Sequence, residues 1–231
     1  MVCDVTLHYH GTPITPVSAF YEMAGRCFCV SHADPRDVAR AHEVGQSVML
    51  DNGAYSAWTA GRAASWDSYY SWCEEWLSWT TWAVVPDVID GSVGDQAVLL
   101  AAWPHPREHS APVWHMNEPV SRLLHLCEGG WHCVCVGSTS QYRQVMSPAW
   151  QERMDDVLDE CVRVLGRVPP LHMLRGMRCA GERWPFMSLD STDVARNHAS
   201  RHGAAVMARR WDSSQCPVRW FPVPRQRRLI A

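Results

Sequence analysis

Eight short apolar segments, each ending at polar residues or at glycine, constrain the fold of this chain more than any other feature. They are VTLHYHG, RCFCVSH, SVMLDNG, WAVVPD, APVWHMN, HCVCVGS, PLHMLRG and FMSLDS. Near-continuous apolar runs of this length are typical of parallel strands that are buried on both faces. The sequence therefore predicts eight strands of a parallel sheet.

Helical patterns lie between these segments. The clearest covers 148–165, where apolar residues recur at helical spacing between Ser147-Pro148 at the start and Gly166 at the end. We expect further helices at 17–24, 35–44, 66–79, 93–103, 118–127 and 192–210, and only a shortened seventh helix in the segment MRCAGERWP. This alternation predicts a (β/α)8 TIM barrel in one domain spanning 1–231, with an open doubly wound sheet as the alternative.

The composition excludes some classes of chemistry. All 21 basic residues are arginine, so mechanisms that need a lysine Schiff base or a P-loop lysine are excluded. The net charge of −3 provides no general attraction to a polyanion. The segment 219–231, however, is rich in arginine and predicts a local basic tail.

The cysteines and the apolar runs indicate the compartment. The ten cysteines lie singly in apolar runs, which is typical of reduced, buried thiols, and the two C-x-C pairs at 27–29 and 133–135 are interpreted as small core residues. The sequence has neither a membrane-length apolar run nor the pattern of a signal peptide. We therefore expect no membrane contact and a cytoplasmic location, in the host if the protein is phage-encoded.

Three aspartates, Asp51, Asp87 and Asp190, end three different predicted strands. In a TIM barrel the carboxyl ends of the strands converge on one mouth, where active sites lie. Carboxylates that share such a site have different pKa values, so one can act as nucleophile and another as acid, as chemistry at an anomeric carbon requires. Capping of the following helix is the alternative role for each. The same reasoning predicts a mouth formed by His8, His10, His32, Asp51, Asn52, Asp87, His115, Asn117, Ser138, Arg175, Asp190 and Ser191.

Histidines leave a metal site as an alternative. His8 and His10 share one face of a predicted strand, and His115 could complete a set of ligands. We favour core positions for the first two histidines and predict no metal and no cofactor. His172, in the middle of a strand, is interpreted as a core histidine with satisfied hydrogen bonds.

Five segments in order resemble the tRNA-guanine transglycosylase family. LDNGAYS is similar to its D-S-G-G-[FY]-Q motif, VVPD matches the position of its guanine-reading aspartate, and CVGST is similar to the end of G-G-L-A-V-G-E. HMLRGM is similar to R-Y-L-M-G-V-G, and FMSLDSTDVARN to D-M-F-D-C-V-x-P-T-R-x-x-R-N. The resemblance spans roughly 48–197 and implies a (β/α)8 enzyme that exchanges guanine for a 7-deazaguanine. In length the chain is similar to the short phage and bacterial members that act on DNA.

The resemblance assigns roles to individual residues. Asp190 matches the nucleophile that attacks C1′ of the target nucleotide, and Asp51 matches the carboxylate that handles the proton of the leaving or entering base. Tyr55 matches the aromatic that stacks on the base, and Asp87 the carboxylate that accepts from the guanine edge. The implied base pocket further includes Asn52, His115, Arg175 and Gly176, with the backbone around Val136 and Gly137 as its floor. Arg196 and Arg178 are expected to contact phosphate, with Arg183 and the arginine-rich tail as further candidates.

The sequence departs from the family in two places. The C-x-C-x-x-C zinc cluster is absent, since Cys216 stands alone, which predicts that the zinc subdomain is missing and argues against tRNA as substrate. The Gln-Gly pair expected after the fifth strand is replaced by His115-Met116-Asn117. His115 is therefore expected to read a different edge of the base.

Three functions remain open at this point. The first is a base-exchange glycosyltransferase that replaces guanine in DNA by a 7-deazaguanine such as preQ0, with DNA and the free base as its partners. The second is a nucleosidase, nucleotide N-glycosidase or base-excising glycosylase that uses the same carboxylates. The third is a non-catalytic, nucleic-acid-binding barrel subunit. The sequence predicts no oligomeric state.

Overall fold

A computed structural model describes residues 5–62 and 66–222, in which the strands form one nearly closed, barrel-shaped sheet. The strands are β1 (Leu7–Gly11), β2 (Cys27–Ser31), β3 (Ser47–Asp51), β4 (Thr81–Val84), β5 (Ser110–Ala111), β6 (Val113–His115), β7 (Val134–Gly137), β8 (Leu171–Met173) and β9 (Ser188–Ser191). Their order is β5-β4-β3-β2-β1-β9-β8-β7-β6, and all paired neighbours are parallel. The predicted TIM-type barrel is confirmed, and the open doubly wound alternative is wrong.

The fifth predicted strand is split at Pro112, which is why the sheet has nine strands rather than eight. Proline has no backbone N–H to donate to a neighbouring strand. The carbonyl of Ala111 accepts a hydrogen bond from the N–H of Val85, and the carbonyl of Pro112 accepts one from the N–H of Cys135, both at 2.9 Å. The two halves of the segment therefore pair with opposite neighbours, β4 and β7, and bring the ends of the sheet together.

Helices cover the outside of the sheet. They are α1 (Val17–Tyr21), α2 (Val38–Val44), α3 (Ala54–Thr59), α4 (Trp66–Trp76), α5 (Val93–Ala102), α6 (Val120–Cys127), α7 (Pro148–Leu165), α8 (Asp193–Asn197) and α9 (Ala204–Asp212). The bounds of α7 are those predicted, because the Ser147 side chain accepts from the N–H of Trp150 at 3.3 Å and Gly166 takes the left-handed conformation that ends the helix. No helix in the described part of the chain has the length and apolar character to cross a bilayer.

The helices agree with the prediction for the seventh helix and differ from the predictions at 192–210 and after β3. The shortened seventh helix is confirmed, since only a 3-10 turn, Met177–Cys179, separates β8 from β9. The predicted helix 192–210 is wrong as one element, because the chain breaks between α8 and α9, where Gly203 has a φ of +81°. Helix α3 was not predicted, and it carries Trp58.

The inside of the barrel is a separate core from the layer beneath the helices. Its buried members include Tyr9, Met49 and Trp82 together with the C-x-C pairs at 27–29 and 133–135. The prediction that these cysteines are small core residues is confirmed. The indole N–H of Trp82 donates to the hydroxyl of Tyr9 at 2.8 Å. These side chains fill the barrel interior, as side-chain layers do in TIM barrels.

Candidate active site

A cavity of about 560 Å³ opens at the carboxyl ends of the strands. This volume is in the range of small-molecule sites, roughly 300–1,000 Å³. Asp51 ends β3, Asp87 follows β4 and Asp190 lies in β9, and all three carboxylates line the cavity. The other sequence-predicted residues on its wall are Asn52, Tyr55, His115, Gly137, Ser138, Arg175, Ser191 and Arg196. The structure thus brings the three carboxylates to one site.

The segment Asp51-Asn52-Gly53 connects β3 to α3 and sets the position of two carboxylates. The amide nitrogen of Asn52 donates to Asp87 Oδ1 at 2.9 Å and to the carbonyl of Val85 at 3.0 Å, and its amide oxygen accepts from the N–H of Ala54 at 2.8 Å. Gly53 has a φ of +74°, a conformation that glycine adopts without strain. One asparagine therefore starts α3 and orients Asp87.

Asp51 is held in a form suited to proton transfer. Its Oδ2 accepts from the Ser31 hydroxyl at 2.7 Å and from the N–H of Gly53 at 3.1 Å. Burial raises the pKa of Asp51 to about 6; the hydrogen bonds from Ser31 and Gly53 oppose this rise, and the charges of Asp190 and Asp87 add to it. A carboxyl group with a pKa near the working pH can both give and take a proton.

The raised pKa of Asp51 predicts an effect on stability. Between pH 4 and pH 6 the folded chain binds more protons at Asp51 than the unfolded chain, whose aspartate has an ordinary pKa of 3.8. The contribution of Asp51 to the free energy of unfolding therefore falls as the pH rises through this window, by on the order of 2 kcal/mol. Urea unfolding at pH 4 and pH 7 should show Asp51→Asn gaining stability relative to the wild type at the higher pH. An equal pH response in both proteins would contradict the assignment.

The two carboxylate oxygens of Asp190 differ in their hydrogen bonding. Its Oδ1 accepts from the backbone N–H of Arg175 at 2.6 Å and from His172 Nε2 at 3.2 Å. No hydrogen bond to Oδ2 occurs among the described residues, and the side chain lines the cavity. A carboxylate fixed through one oxygen presents the other to an electrophile in a defined direction.

His172 contacts the predicted site residue Asp190, a contact that the sequence did not predict. It is fully buried with both ring nitrogens satisfied, as expected, but one partner is Asp190 and the other is the Ser188 hydroxyl, at 2.8 Å from Nδ1. Donation from Nε2 to the carboxylate leaves Nδ1 to accept from Ser188. The alternation of side chains along a strand could have predicted this contact, because it places His172, Ser188 and Asp190 on the same face of β8 and β9.

Arg175 holds a left-handed backbone with a φ of +55°. This conformation is uncommon for a residue other than glycine and often occurs at functional sites. It accompanies the N–H donation to Asp190, while the guanidinium lies 4.2 Å from the centroid of the Tyr55 ring. The backbone and the side chain of Arg175 thus contact two different sequence-predicted site residues.

His115 and Asp87 form a polar corner of the cavity. His115 Nε2 lies 3.1 Å from Asp87 Oδ2, an ion-pair distance without the alignment of a hydrogen bond. Neither ring nitrogen of His115 has a hydrogen-bond partner in the described part of the chain, although the residue is only 3% exposed. Because buried polar atoms usually have hydrogen-bond partners, a molecule in the cavity can complete the hydrogen bonding of His115.

Several residues expected at the mouth lie elsewhere. Because Tyr9 points into the barrel, His8 and His10 point outward, and His10 Nε2 lies 3.0 Å from Asp212 of α9. Burial lowers the pKa of both histidines to about 4. The expectation that they join the mouth is wrong, and so is the alternative that they form a metal set with His115. Two further expected mouth residues are also absent from the cavity wall, His32, which packs on Tyr69 and Trp72, and Asn117, which accepts from Thr139.

Three residues of the implied base and phosphate contacts do not reach the cavity wall. The Val136 side chain packs in the core beneath the helices, because it alternates with the cavity-lining Gly137. Gly176 is buried, and a Cβ there would lie 2.2 Å from Met173 Cγ, so its role is close packing. Arg178 is exposed on the turn after β8. Of the arginine-rich tail, residues 223–231 lie outside the described part of the chain.

Comparison with known proteins supports the fold alone. No family model matches the sequence, and no curated protein matches it. Among solved structures the chain is similar to tryptophan synthase from M. tuberculosis in its aminoacrylate-bound form, with a TM-score of 0.51 and 11% identity over 92% of this chain and 94% of that chain. An open form of the same enzyme with BRD0059 bound gives a TM-score of 0.46 and 13% identity over 91% and 90%. The similarity is to a barrel, and the chemistry has to be inferred from the site residues.

Proposed function

We propose that this protein is a base-exchange glycosyltransferase of the tRNA-guanine transglycosylase type, which replaces guanine in DNA by a 7-deazaguanine. The observation that carries the proposal is the meeting of Asp51, Asp87 and Asp190 in one cavity, each in a different environment. Asp190 is held through one carboxylate oxygen, Asp51 has a pKa of about 6, and Asp87 is oriented by the side-chain amide of Asn52. The ordered motif resemblance assigns nucleophile, proton carrier and base reader to these same three residues.

The proposed first step is displacement of guanine by Asp190. The free oxygen of the carboxylate attacks C1′ while the bond between C1′ and the base nitrogen breaks, and the electron pair leaves with guanine. Asp51 gives its proton to the departing base, which its raised pKa favours. The product is a glycosyl ester of Asp190, so one difficult substitution becomes two easier ones.

The second step reverses the roles. The incoming 7-deazaguanine gives its ring N–H proton to Asp51 and attacks C1′ on the face that guanine left. The bond between C1′ and Asp190 breaks, and the carboxylate is regenerated. Two inversions retain the configuration of the nucleoside, and the proton returns to Asp51.

Asp87, Asn52 and His115 are proposed to read the base. Asp87 accepts from the N1–H and exocyclic amine of guanine, and the hydrogen bond from Asn52 fixes the direction of that carboxylate. His115 supplies two buried ring nitrogens that make no hydrogen bond within the described part of the chain, with Nε2 3.1 Å from Asp87 Oδ2. A site built to pair polar edges rejects bases that leave those edges unpaired.

The experiment that tests the proposal uses DNA with radiolabelled guanine. Purified protein is incubated with single-stranded and duplex oligonucleotides, with and without preQ0, and released guanine and the nucleosides of the DNA are measured. Base exchange predicts at most one guanine released per enzyme without preQ0, and further release that depends on added preQ0 and equals its incorporation. Repeated turnover without an added base would indicate a hydrolase instead, and unchanged DNA would contradict the proposal.

His172 is expected to act as a positioning residue. Replacing it by Leu removes one donor to Asp190 and leaves the Ser188 hydroxyl without its partner, so kcat should fall about 10- to 100-fold, the effect of losing a hydrogen bond to a charged group. His172→Gln retains a donor and should recover part of kcat, with KM for the incoming base unchanged in both variants. Equal losses in the two variants at equal thermal stability would contradict this role.

A further inference from the structure

Trp58 and Arg143 line the cavity, yet the proposed chemistry uses neither. Trp58 lies on α3, and its ring centroid is 5.8 Å from that of Tyr55 with 33° between the planes. Both aromatic residues are 40% exposed. The Arg143 guanidinium lies 5.2 Å from the centroid of the Trp58 ring. Because Arg175 lies against the Tyr55 ring, each of these two exposed aromatic rings has an arginine guanidinium packed on it.

An aromatic ring paired with a guanidinium suits a nucleotide. The ring offers a stacking surface to any base, and the guanidinium offers N–H donors to a phosphate. Arg143 is 52% exposed in its side chain, and its ion pair with Asp90 is 3.3 Å long with Asp90 38% exposed. Such exposed pairs contribute little to stability, so a phosphate can replace Asp90 as the partner of Arg143.

The position of Trp58 and Arg143 suits the nucleotide that is next to the target nucleotide in a strand. Tyr55 and Trp58 are three residues apart on α3, so their side chains lie on the same side of the helix. If Tyr55 stacks on the target base inside the cavity, Trp58 offers the next stacking surface along the same wall. A free mononucleotide has no base to place there, whereas a strand has one.

From this geometry we infer that Trp58 and Arg143 form a subsite for the nucleotide adjacent to the target in an unpaired DNA strand. The inference rests on the proposed function and specifies its substrate class, which is a polynucleotide rather than a free nucleotide. The base of the adjacent nucleotide stacks on Trp58, and its phosphate binds Arg143. Because stacking accepts every base, this subsite selects a strand more than a sequence.

The test compares a DNA oligonucleotide that contains one guanine with dGMP and with an RNA oligonucleotide of the same sequence. Trp58→Ala and Arg143→Ala are measured beside two matched controls outside the cavity wall. Trp79 is an exposed tryptophan, 95% accessible, and Arg163 is an exposed arginine on α7. Binding is followed by fluorescence anisotropy and exchange by guanine release, so the subsite is tested even if no base is exchanged.

The expected result is a loss of binding for the DNA oligonucleotide that is far smaller for the free nucleotide dGMP. Trp58→Ala should weaken binding of the DNA oligonucleotide about 5- to 150-fold, the equivalent of about 1–3 kcal/mol of base stacking, and should change dGMP binding far less. Arg143→Ala should also lower the slope of log affinity against log salt by about 0.7, as expected for one phosphate contact. Trp79→Ala and Arg163→Ala should match the wild type.

Three results would overturn the inference. One is a wild type that binds the DNA oligonucleotide no better than dGMP. The second is a pair of variants, Trp58→Ala and Arg143→Ala, that bind the oligonucleotide like their controls. The third is a loss seen with RNA and not with DNA. Strand binding that depends on Trp58 without any base exchange would support the subsite and contradict the proposed function, so the two failures are distinguishable.

Discussion

Replacing Asp190 by Asn is expected to lower base exchange by roughly 10⁴- to 10⁶-fold, the scale of losing a covalent nucleophile. The amide has nearly the shape of the carboxylate, and its oxygen can still accept from the N–H of Arg175 and from His172. It is neutral, however, and does not form a glycosyl ester with C1′. The loss should appear in kcat, with little change in the affinity for DNA or base.

A matched control separates this effect from general damage. Asp67→Asn makes the same chemical change at an exposed position in the first turn of α4, away from the cavity wall. Guanine exchange into DNA is measured for both variants alongside thermal unfolding. Asp67→Asn should exchange base like the wild type. An Asp190→Asn protein that is folded and exchanges base at a near wild-type rate would exclude Asp190 as the nucleophile.

Replacing Asp87 by Asn is expected to impair recognition of the base rather than the substitution itself. The change exchanges an acceptor for a donor against the N1–H and exocyclic amine of guanine, at a cost of roughly 2–4 kcal/mol for unpaired buried groups. It also sets two amides against each other, because Asn52 donates to Asp87 in the wild type. The affinity for the incoming base should fall by about 30- to 1,000-fold, while Asp190 remains intact.

A base without the exocyclic amine tests this assignment. The wild type should discriminate strongly between 7-deazaguanine and 7-deazahypoxanthine, because the latter leaves Asp87 with one unmet contact. In Asp87→Asn that discrimination should largely disappear, since the acceptor is gone. The measurement is kcat/KM for each base with one DNA substrate. Discrimination of wild-type size in the variant would show that another residue reads the amine.

The strands of this fold are predictable because the pattern that specifies them is local. Each apolar run stops at a polar residue, and seven of the eight predicted segments contain a single strand. The split at Pro112 follows from one missing N–H, but which strand would pair with each half depends on closure of the whole sheet. Helix α3 was missed because a six-residue element is too short for helical periodicity to emerge.

The site was predictable to the extent that strand ends converge. Asp51, Asp87 and Asp190 could be grouped from the sequence because parallel strands bring their carboxyl ends together. The directions of the side chains were predicted less well than their positions along the strands. His8 was assigned to the mouth, but Tyr9 next to it faces the barrel interior, so His8 faces outward. The contact between Arg143 and Trp58 joins a loop to helix α3, which is far away in the sequence, and no local pattern specifies it.

The most direct test of the central claim is mass spectrometry of the covalent intermediate. Wild-type protein is mixed with an oligonucleotide containing one guanine, quenched rapidly in acid and digested. The mechanism predicts an adduct of the oligonucleotide minus guanine on the peptide that contains Asp190, lost when preQ0 is added and absent from Asp190→Asn. Guanine release without an adduct, or an adduct on Asp51, would contradict it.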